Sequence, residues 1–100
     1  MKLWLDDTRE APPGWFWVRT ADEAIECLKT GNVREMSLDH DLGIEAEVKT
    51  GYAVLEWLEE EVHAGRLRPP GIMKAHTANS AAAVRMLQAI TSIERLAGRG

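Results

Sequence analysis

The chain has few of the residues that build covalent or strongly charged scaffolds. Among its 100 residues Cys27 is the only cysteine, which excludes a disulfide framework and a zinc site made of cysteines. There is no apolar run of membrane-spanning length and no signal-peptide pattern, so we expect a cytoplasmic protein without a membrane partner. The net charge is −4 and the basic residues are scattered singly. This distribution argues against broad nucleic-acid binding through a positive face.

Missing motifs exclude two common kinds of enzyme. The chain has no glycine-rich loop that ends in Lys-Ser or Lys-Thr, which excludes a P-loop nucleotide triphosphatase. It has no serine at the centre of a Gly-x-Ser-x-Gly turn, which excludes an α/β-hydrolase nucleophile. The length, together with a hydrophobic content of 45%, instead predicts one globular domain over residues 1–100. Four tryptophans in so short a chain indicate core and interlayer packing.

Short apolar runs alternate with amphipathic stretches along the chain. The apolar runs predict four strands, at 1–5, 15–19, 34–38 and 71–75. The amphipathic stretches predict three helices, at about 21–30, from 51 to just before Gly65, and at about 80–97.

Cap residues and apolar faces support each predicted helix. Thr20, with Glu23 three residues later, forms a capping-box pattern. Thr50 can cap the second helix, and Asn79 or Ser80 can cap the third. In the first helix we expect these residues to face inward: Ala24, Ile25 and Leu28. The second helix has an apolar stripe with acids opposite, formed by Val54, Leu55, Leu58 and Val62. The third has apolar residues on one side, which can be a core face or a dimer face: Val84, Leu87, Ile90 and Ile93.

Strands that alternate with helices predict an α/β fold, which we expect to be a small three-layer domain with a parallel sheet of about four strands. The link between the first two strands contains Pro12-Pro13-Gly14 and is too short for a crossover helix. We therefore expect these strands to be parallel and joined by a loop, with a hairpin as the less favoured alternative. Residues 39–49 are expected to form a polar loop.

Polar residues follow three of the four predicted strands. Asp6 and Asp7 end the first, Asp39-His40-Asp41 ends the third, and His76-Thr77 ends the fourth. Ligands of open parallel sheets bind beyond the carboxyl ends of the strands, so these side chains should converge at one edge. Carboxylates suit hard cations, which predicts a divalent metal, Mg²⁺ or Mn²⁺, on the following residues: Asp6, Asp7, Asp39 and Asp41.

Several of these residues also have simpler interpretations. Asp6 and Asp7 are favoured turn formers before a proline-rich loop. Arg9 can clamp a phosphate with its planar fork, or it can pair with a neighbouring acid at the surface. Thr77 and Asn79 can bind phosphate oxygens, but Asn79 can equally serve as a helix cap.

The order of the strand-end residues resembles that of receiver domains of the response-regulator type. A receiver has an acid pair after its first strand, matched by Asp6-Asp7, and a phospho-accepting aspartate after its third, matched by Asp39. It has a threonine or serine followed by alanine after its fourth strand, matched by Thr77-Ala78. The resemblance implies a flavodoxin-like topology. This chain departs from it in lacking the first helix and the fifth strand, which carries an essential lysine, so the expected topology is truncated.

The motifs Leu-Asp-Asp-x-Arg, Leu-Asp-His-Asp-Leu-Gly and His-Thr-x-Asn are similar to those of a smaller, divergent group, the cyclic-phosphate processing receiver domains. This resemblance implies a role in handling cyclic phosphate ends in RNA repair. The partner would then be a small phosphorylated ligand or an RNA end.

Three functions remain open at this level. The first is a metal-dependent phosphoesterase or cyclic-phosphate binder, whose expected site residues beyond the metal ligands are Asp39, His40 and His76 as catalytic groups and Arg9, Thr77 and Asn79 as phosphate ligands. The second is a signalling module phosphorylated on Asp39. The third is a non-catalytic interaction domain, for which the last helix could provide a homodimer face.

Overall fold

A computed structural model describes residues 1–43 and 48–98 of the chain. The predicted polar loop therefore lies partly outside the described residues, at 44–47, as do Arg99 and Gly100 at the chain end. The elements in chain order are β1 (Lys2–Leu5), β2 (Phe16–Val18), α1 (Ala21–Lys29), β3 (Glu35–Leu38), α2 (Gly51–His63), β4 (Ile72–Ala75) and α3 (Ser80–Ala97). Each predicted strand and helix is present, and no end differs from its predicted position by more than one residue.

The four strands form one parallel sheet in the order β2-β1-β3-β4. The prediction of an α/β fold with a four-stranded parallel sheet is confirmed. The two strands joined by the proline-rich loop are parallel, which excludes the hairpin alternative. In register, Trp4 lies beside Trp17 on one side and beside Ser37 on the other, and Ser37 lies beside Lys74.

The three helices pack on the same face of the sheet. The connections from β2 to β3 and from β3 to β4 run in the same direction across the sheet. Because crossovers between parallel strands are right-handed, the helices in these two connections, α1 and α2, lie on the same face. α3 packs along α2. The connection from β1 to β2 runs the opposite way, so a helix there would cover the other face. Because a loop takes its place, the described residues form two layers, a sheet and a layer of helices, where three layers were expected.

The core lies between the sheet and the helices. Its strand residues alternate along each strand, as a sheet covered on one face requires. Buried residues at this interface include Leu3, Leu5, Val18, Met36, Leu38, Leu55, Leu58, Met86 and Ile93. The faces predicted for α1 and α2 are confirmed.

The apolar side predicted for α3 is only partly buried. Ile90 and Ile93 are buried, but Val84 and Leu87 are 56% and 54% exposed. The helix instead packs through Ala82, Met86 and Ala89 together with the two isoleucines. Small alanines allow α3 to lie close to its neighbours, and this choice of face could not be read from the positions of the large side chains.

Two of the three expected caps use their side chains. Thr20 and Glu23 form the capping box at α1, and Asn79 accepts from the backbone N–H of Ala82 at α3. Thr50 occupies the N-cap position of α2 without a side-chain bond. Within the described residues, no helix has the length and apolar character needed to cross a membrane.

The loop between β1 and β2 is tied down by two tryptophans. The indole Nε1 of Trp4 donates to the carbonyl oxygen of Arg9 at 2.9 Å, and that of Trp17 donates to the carbonyl oxygen of Asp6 at 2.8 Å. Trp15 meets Trp4 edge to face, with ring centroids 5.9 Å apart. These three half-buried tryptophans lie on the side of the sheet without helices, so they cover part of the face that the missing helix would occupy.

Candidate functional site

Three carboxylates meet at the carboxyl edge of the sheet. Asp6, Asp7 and Asp39 each offer an oxygen, and these atoms lie within 4.8 Å of one another. Asp6 and Asp7 follow β1 and Asp39 follows β3, and these two strands are neighbours in the sheet. Asp41 is not in this group. Its carboxylate lies against His40 instead, so the structure brings together three of the four acids predicted as metal ligands.

Asp6 is the anchor of the site. It is 2% exposed, and its Oδ1 accepts from the backbone N–H groups of Arg9, at 2.7 Å, and of Thr8, at 3.0 Å. Its Oδ2 lies 3.1 Å from Nε2 of His76. Burial by itself would raise the pKa of Asp6, but the backbone donors of Arg9 and Thr8, together with His76, outweigh it and lower the pKa below 3.8. Asp6 is therefore a buried carboxylate whose ionised form is stabilised by its hydrogen-bond donors.

Asp39 is held differently. Its Oδ1 accepts from the backbone N–H of His40 at 2.9 Å. Burial raises its pKa above 3.8, and the negative charge of Asp6 raises it further. The hydrogen bond from the backbone N–H of His40 opposes this rise in the pKa without cancelling it. Two neighbouring carboxylates with opposite pKa shifts indicate a site where negative charge accumulates.

The start of α2 fits tightly against Asp39. Gly51 is the first residue of the helix, and its backbone N–H donates to the carbonyl oxygen of His40 at 3.0 Å. A Cβ atom at position 51 would collide with the backbone carbonyl oxygen of Asp39. Glycine at this position therefore allows the helix to begin directly behind the site.

His76 lies across the sheet face and holds three neighbours. Its Nε2 faces Oδ2 of Asp6, and its Nδ1 lies 2.7 Å from the hydroxyl of Ser37. Its ring stacks on Trp4 with centroids 3.8 Å apart and planes 7° from parallel. Burial lowers the pKa of His76 below 6.5, although Asp6 and Asp39 oppose this shift. The ring is therefore neutral near pH 7, with both nitrogens in hydrogen bonds.

His40 has a different environment. Its Nδ1 lies 2.8 Å from Oδ1 of Asp41, whose side chain is 60% exposed. A carboxylate only accepts hydrogen bonds, so Nδ1 carries the proton and Nε2 is the basic nitrogen of the neutral ring. Among the described residues, no hydrogen-bond partner contacts this Nε2.

The predicted phosphate ligands reach the same edge from different elements. Nη1 of Arg9 lies 3.5 Å from the carbonyl oxygen of His76, so its side chain crosses toward the end of β4. The hydroxyl of Thr77 accepts from the backbone N–H of Asn79 at 3.1 Å. Oδ1 of Asn79 caps α3, so the capping interpretation of Asn79 is the one observed.

The donor set fits a divalent cation. Three carboxylates are hard oxygen ligands, and their mutual repulsion, which contributes to the raised pKa of Asp39, would be relieved by positive charge. The ions that suit such a set are Mg²⁺ and Mn²⁺.

Two side chains at the site were not predicted from the sequence. Ser37 is 4% exposed and bonds to His76, and Trp4 supplies the surface on which that ring stacks. One signal for Ser37 was available, because it is a small polar residue between Met36 and Leu38 in an otherwise apolar strand. The sequence indicated Trp4 less clearly. Trp4 is two residues before Asp6, and side chains two residues apart along a strand point to the same side of the sheet.

Comparison with known protein families gives a match. The sequence model of a family described as the cyclic-phosphate processing receiver domain matches residues 1–92. No curated protein and no solved structure matches the chain.

Proposed function

The chain belongs to the cyclic-phosphate processing receiver domain family, and we propose that it is a divalent-metal-dependent phosphoesterase that opens cyclic phosphates. The substrate class that we propose is the five-membered cyclic phosphate of a ribonucleotide or of an RNA end. The observation that carries this proposal is the convergence of Asp6, Asp7 and Asp39 to within 4.8 Å. An acidic cluster of this kind repels a phosphate unless a cation lies between them.

The three acids would hold the cation, Mg²⁺ or Mn²⁺. When bound, the cation would neutralise the phosphate and polarise its phosphorus–oxygen bonds. Asp6 contributes a negative charge whose ionised form the backbone donors of Arg9 and Thr8 stabilise, which lowers its pKa. The positive charge of the cation would stabilise most strongly the ionised form of Asp39, because burial and the negative charge of Asp6 raise the pKa of this carboxyl group.

The remaining residues bind and orient the phosphate ester. The guanidinium of Arg9 is exposed at the edge of the site and can hold two phosphate oxygens with its fork. The hydroxyl of Thr77, at the end of β4, can donate to a third oxygen. The role of Asn79 is to cap α3 and thereby place the start of that helix at the same edge.

His40 is the residue that we assign to proton transfer. Because Asp41 holds its Nδ1–H, Nε2 can take a proton from the attacking water. The water oxygen bonds to phosphorus, one ring phosphorus–oxygen bond breaks, and the released ribose oxygen takes up a proton. The arrangement resembles other carboxylate–histidine pairs in which the acid orients the base. In this assignment Asp41 acts on His40 and is not a metal ligand.

The test is ³¹P NMR of a 2′,3′-cyclic nucleotide incubated with the protein and Mg²⁺ or Mn²⁺. We expect the cyclic-phosphate resonance to be replaced by that of a phosphomonoester, with chelator, Asp39→Ala and His40→Gln each abolishing the change. His40→Gln should still bind Mn²⁺, whereas Asp39→Ala should not. A matched control is His63→Gln, since His63 is exposed at the end of α2. A spectrum that stays unchanged with the wild-type protein and either ion would contradict the proposal.

Phosphorylation of Asp39 is the second candidate function. It is favoured by the placement of Asp39 directly after β3 and of Thr77 just after the neighbouring strand β4, the pair that matches the phospho-accepting aspartate and the threonine of receivers. A small phosphodonor such as acetyl phosphate, added with Mg²⁺, would give an acid-stable, base-labile phosphate on Asp39 visible by mass spectrometry. Labelling without turnover of the cyclic nucleotide would favour this function over the first.

A further inference from the structure

The described residues contain two buried polar or charged side chains, Asp6 and Ser37, and both bind the same imidazole. The hydroxyl of Ser37 lies 2.7 Å from Nδ1 of His76, and Nε2 of that ring lies 3.1 Å from Oδ2 of Asp6. Ser37 lies within β3, so it is not part of the strand-end motifs that contain the other predicted site residues. Its burial and its partner nevertheless connect it directly to the carboxylate cluster.

The chemistry of the two partners fixes the tautomer of His76. The Asp6 carboxylate can only accept a hydrogen bond, so Nε2 must carry a proton. In the neutral ring Nδ1 is then an acceptor, and the Ser37 hydroxyl is its donor. A ring turned over about its Cβ–Cγ bond would present carbon atoms to both partners.

The position of Ser37 in the sheet also determines where the ring can lie. In register, Ser37 stands between Trp4 on β1 and Lys74 on β4. The ring of His76, two residues beyond Lys74, crosses over Ser37 to stack on Trp4 at 3.8 Å. A side chain much bulkier than serine or threonine at position 37 would occupy the space of the ring, and an apolar one would leave its Nδ1 without a donor.

We propose that Ser37 is a positioning residue of the cation site, which sets the orientation and tautomer of His76 so that His76 holds Oδ2 of Asp6 in place. His76 then acts by orienting a carboxylate, and proton transfer belongs to His40. This inference rests on the proposed function, because it concerns the cation that Asp6, Asp7 and Asp39 would share. Groups behind metal ligands that fix their orientation commonly change metal affinity 10–100-fold when removed.

The hydrogen bonds of Asp6 indicate that His76 orients this carboxylate and does more than fill space. Oδ1 of Asp6 already accepts from Arg9 and Thr8, so its remaining capacity is on Oδ2, where His76 occupies one direction. A carboxylate oxygen has two lone-pair directions, and the second is the one left for a cation. Partial rotation of the Asp6 carboxylate would turn this lone pair away from the cation, and the hydrogen bond from His76 opposes that rotation.

The test uses Ser37→Ala, Ser37→Thr and a matched control, Ser92→Ala. Ser92 also donates a side-chain hydrogen bond, to Oε1 of Glu59 at 3.0 Å, but it lies between α2 and α3. Mn²⁺ affinity is measured from the EPR signal of the free ion, and the His76 ring is followed by long-range ¹H–¹⁵N correlation spectra. Thermal unfolding establishes that each variant is folded at the temperature used.

We expect Ser37→Ala to bind Mn²⁺ roughly 10-fold more weakly, with Ser37→Thr and Ser92→Ala close to wild type. The ring nitrogens of wild type should show the Nε2–H tautomer, and this pattern should change in Ser37→Ala alone. Equal Mn²⁺ affinity in wild type and Ser37→Ala would overturn the positioning role and leave the proposed function standing. A wild-type protein that binds no Mn²⁺ would overturn the cation site, and the positioning role with it.

Discussion

The imidazole of His76 stacks on the indole of Trp4, with centroids 3.8 Å apart and ring planes 7° from parallel. Trp4 lies in β1 and His76 directly follows β4, and these two strands are not neighbours because β3 lies between them. The contact is possible because the intervening residue, Ser37, is small enough for the ring to pass over it. The stack joins the helix-free face of the sheet to the carboxylate cluster at its edge. Trp4 thus has a role at the site as well as in packing.

Replacing Asp6 should be the most damaging change at the site. Asp6→Asn keeps the volume but removes the charge, and its NH₂ group must face either the Arg9 and Thr8 donors or the His76 donor. Hydrogen bonds to a buried charge contribute about 1.5–3 kcal/mol each, so we expect the free energy of unfolding to fall by about 3 kcal/mol. Urea denaturation with chelator present measures this loss.

Asp7→Asn is the matched control for that experiment. Asp7 is the adjacent acid in the same cluster, but it is half-buried, and among the described residues no hydrogen bond to its side chain is found. We expect a change within about 0.5 kcal/mol. Equal losses in the two variants would show that Asp6 is not a structural anchor.

Asp39→Asn should stabilise the metal-free protein at neutral pH. The folded state raises the pKa of Asp39, so its ionised form is less favourable in the fold than in the unfolded chain. In the wild-type protein, the ionised Asp39 therefore lowers the free energy of unfolding at pH values above the raised pKa. This loss of stability disappears as the pH falls through the raised pKa toward 3.8, the pKa of Asp39 in the unfolded chain. The asparagine variant should therefore gain stability at neutral pH, and the gain should shrink on acidification.

Urea unfolding of Asp39→Asn and wild type over a pH series, with chelator, checks this sign. Asp22→Asn is the control, because it removes one negative charge from an exposed pair with Lys49. That control separates the local effect from the general benefit of a lower net charge. A gain that persists unchanged at acid pH would be evidence against repulsion as its cause.

Gly51→Ala should destabilise the protein although alanine favours helices. The added Cβ would meet the backbone carbonyl oxygen of Asp39, so the start of α2 or the Asp39 backbone must move. Overpacking of this kind costs about 1–3 kcal/mol. We expect a loss of about 2 kcal/mol by urea denaturation, together with weaker Mn²⁺ binding because Asp39 is displaced.

Gly98→Ala provides the comparison for Gly51→Ala. Gly98 is also at a helix end with a negative φ, but its added Cβ would make ordinary contacts at 3.5 Å or more. We expect its stability and Mn²⁺ affinity to stay near wild type. If both alanine variants behaved alike, close approach to Asp39 would not be the reason for glycine at position 51.

The sequence by itself determined the secondary structure and the acid cluster. Strands, helices and their capping residues depend on local periodicity and cap chemistry, which are read within a few residues. The convergence of Asp6, Asp7 and Asp39 followed from one rule, that parallel strands end at the same edge of their sheet. The family resemblance depended on those same strand-end motifs.

Only the tertiary structure determined which of the site residues contact one another. It placed Asp41 on His40 and His76 between Ser37 and Asp6, because these contacts depend on strand order and register across β1, β3 and β4. It also placed all three helices on one face. The face on which each helix lies depends on the order of the strands in the sheet and on the right-handedness of each crossover, and the strand order involves the whole chain.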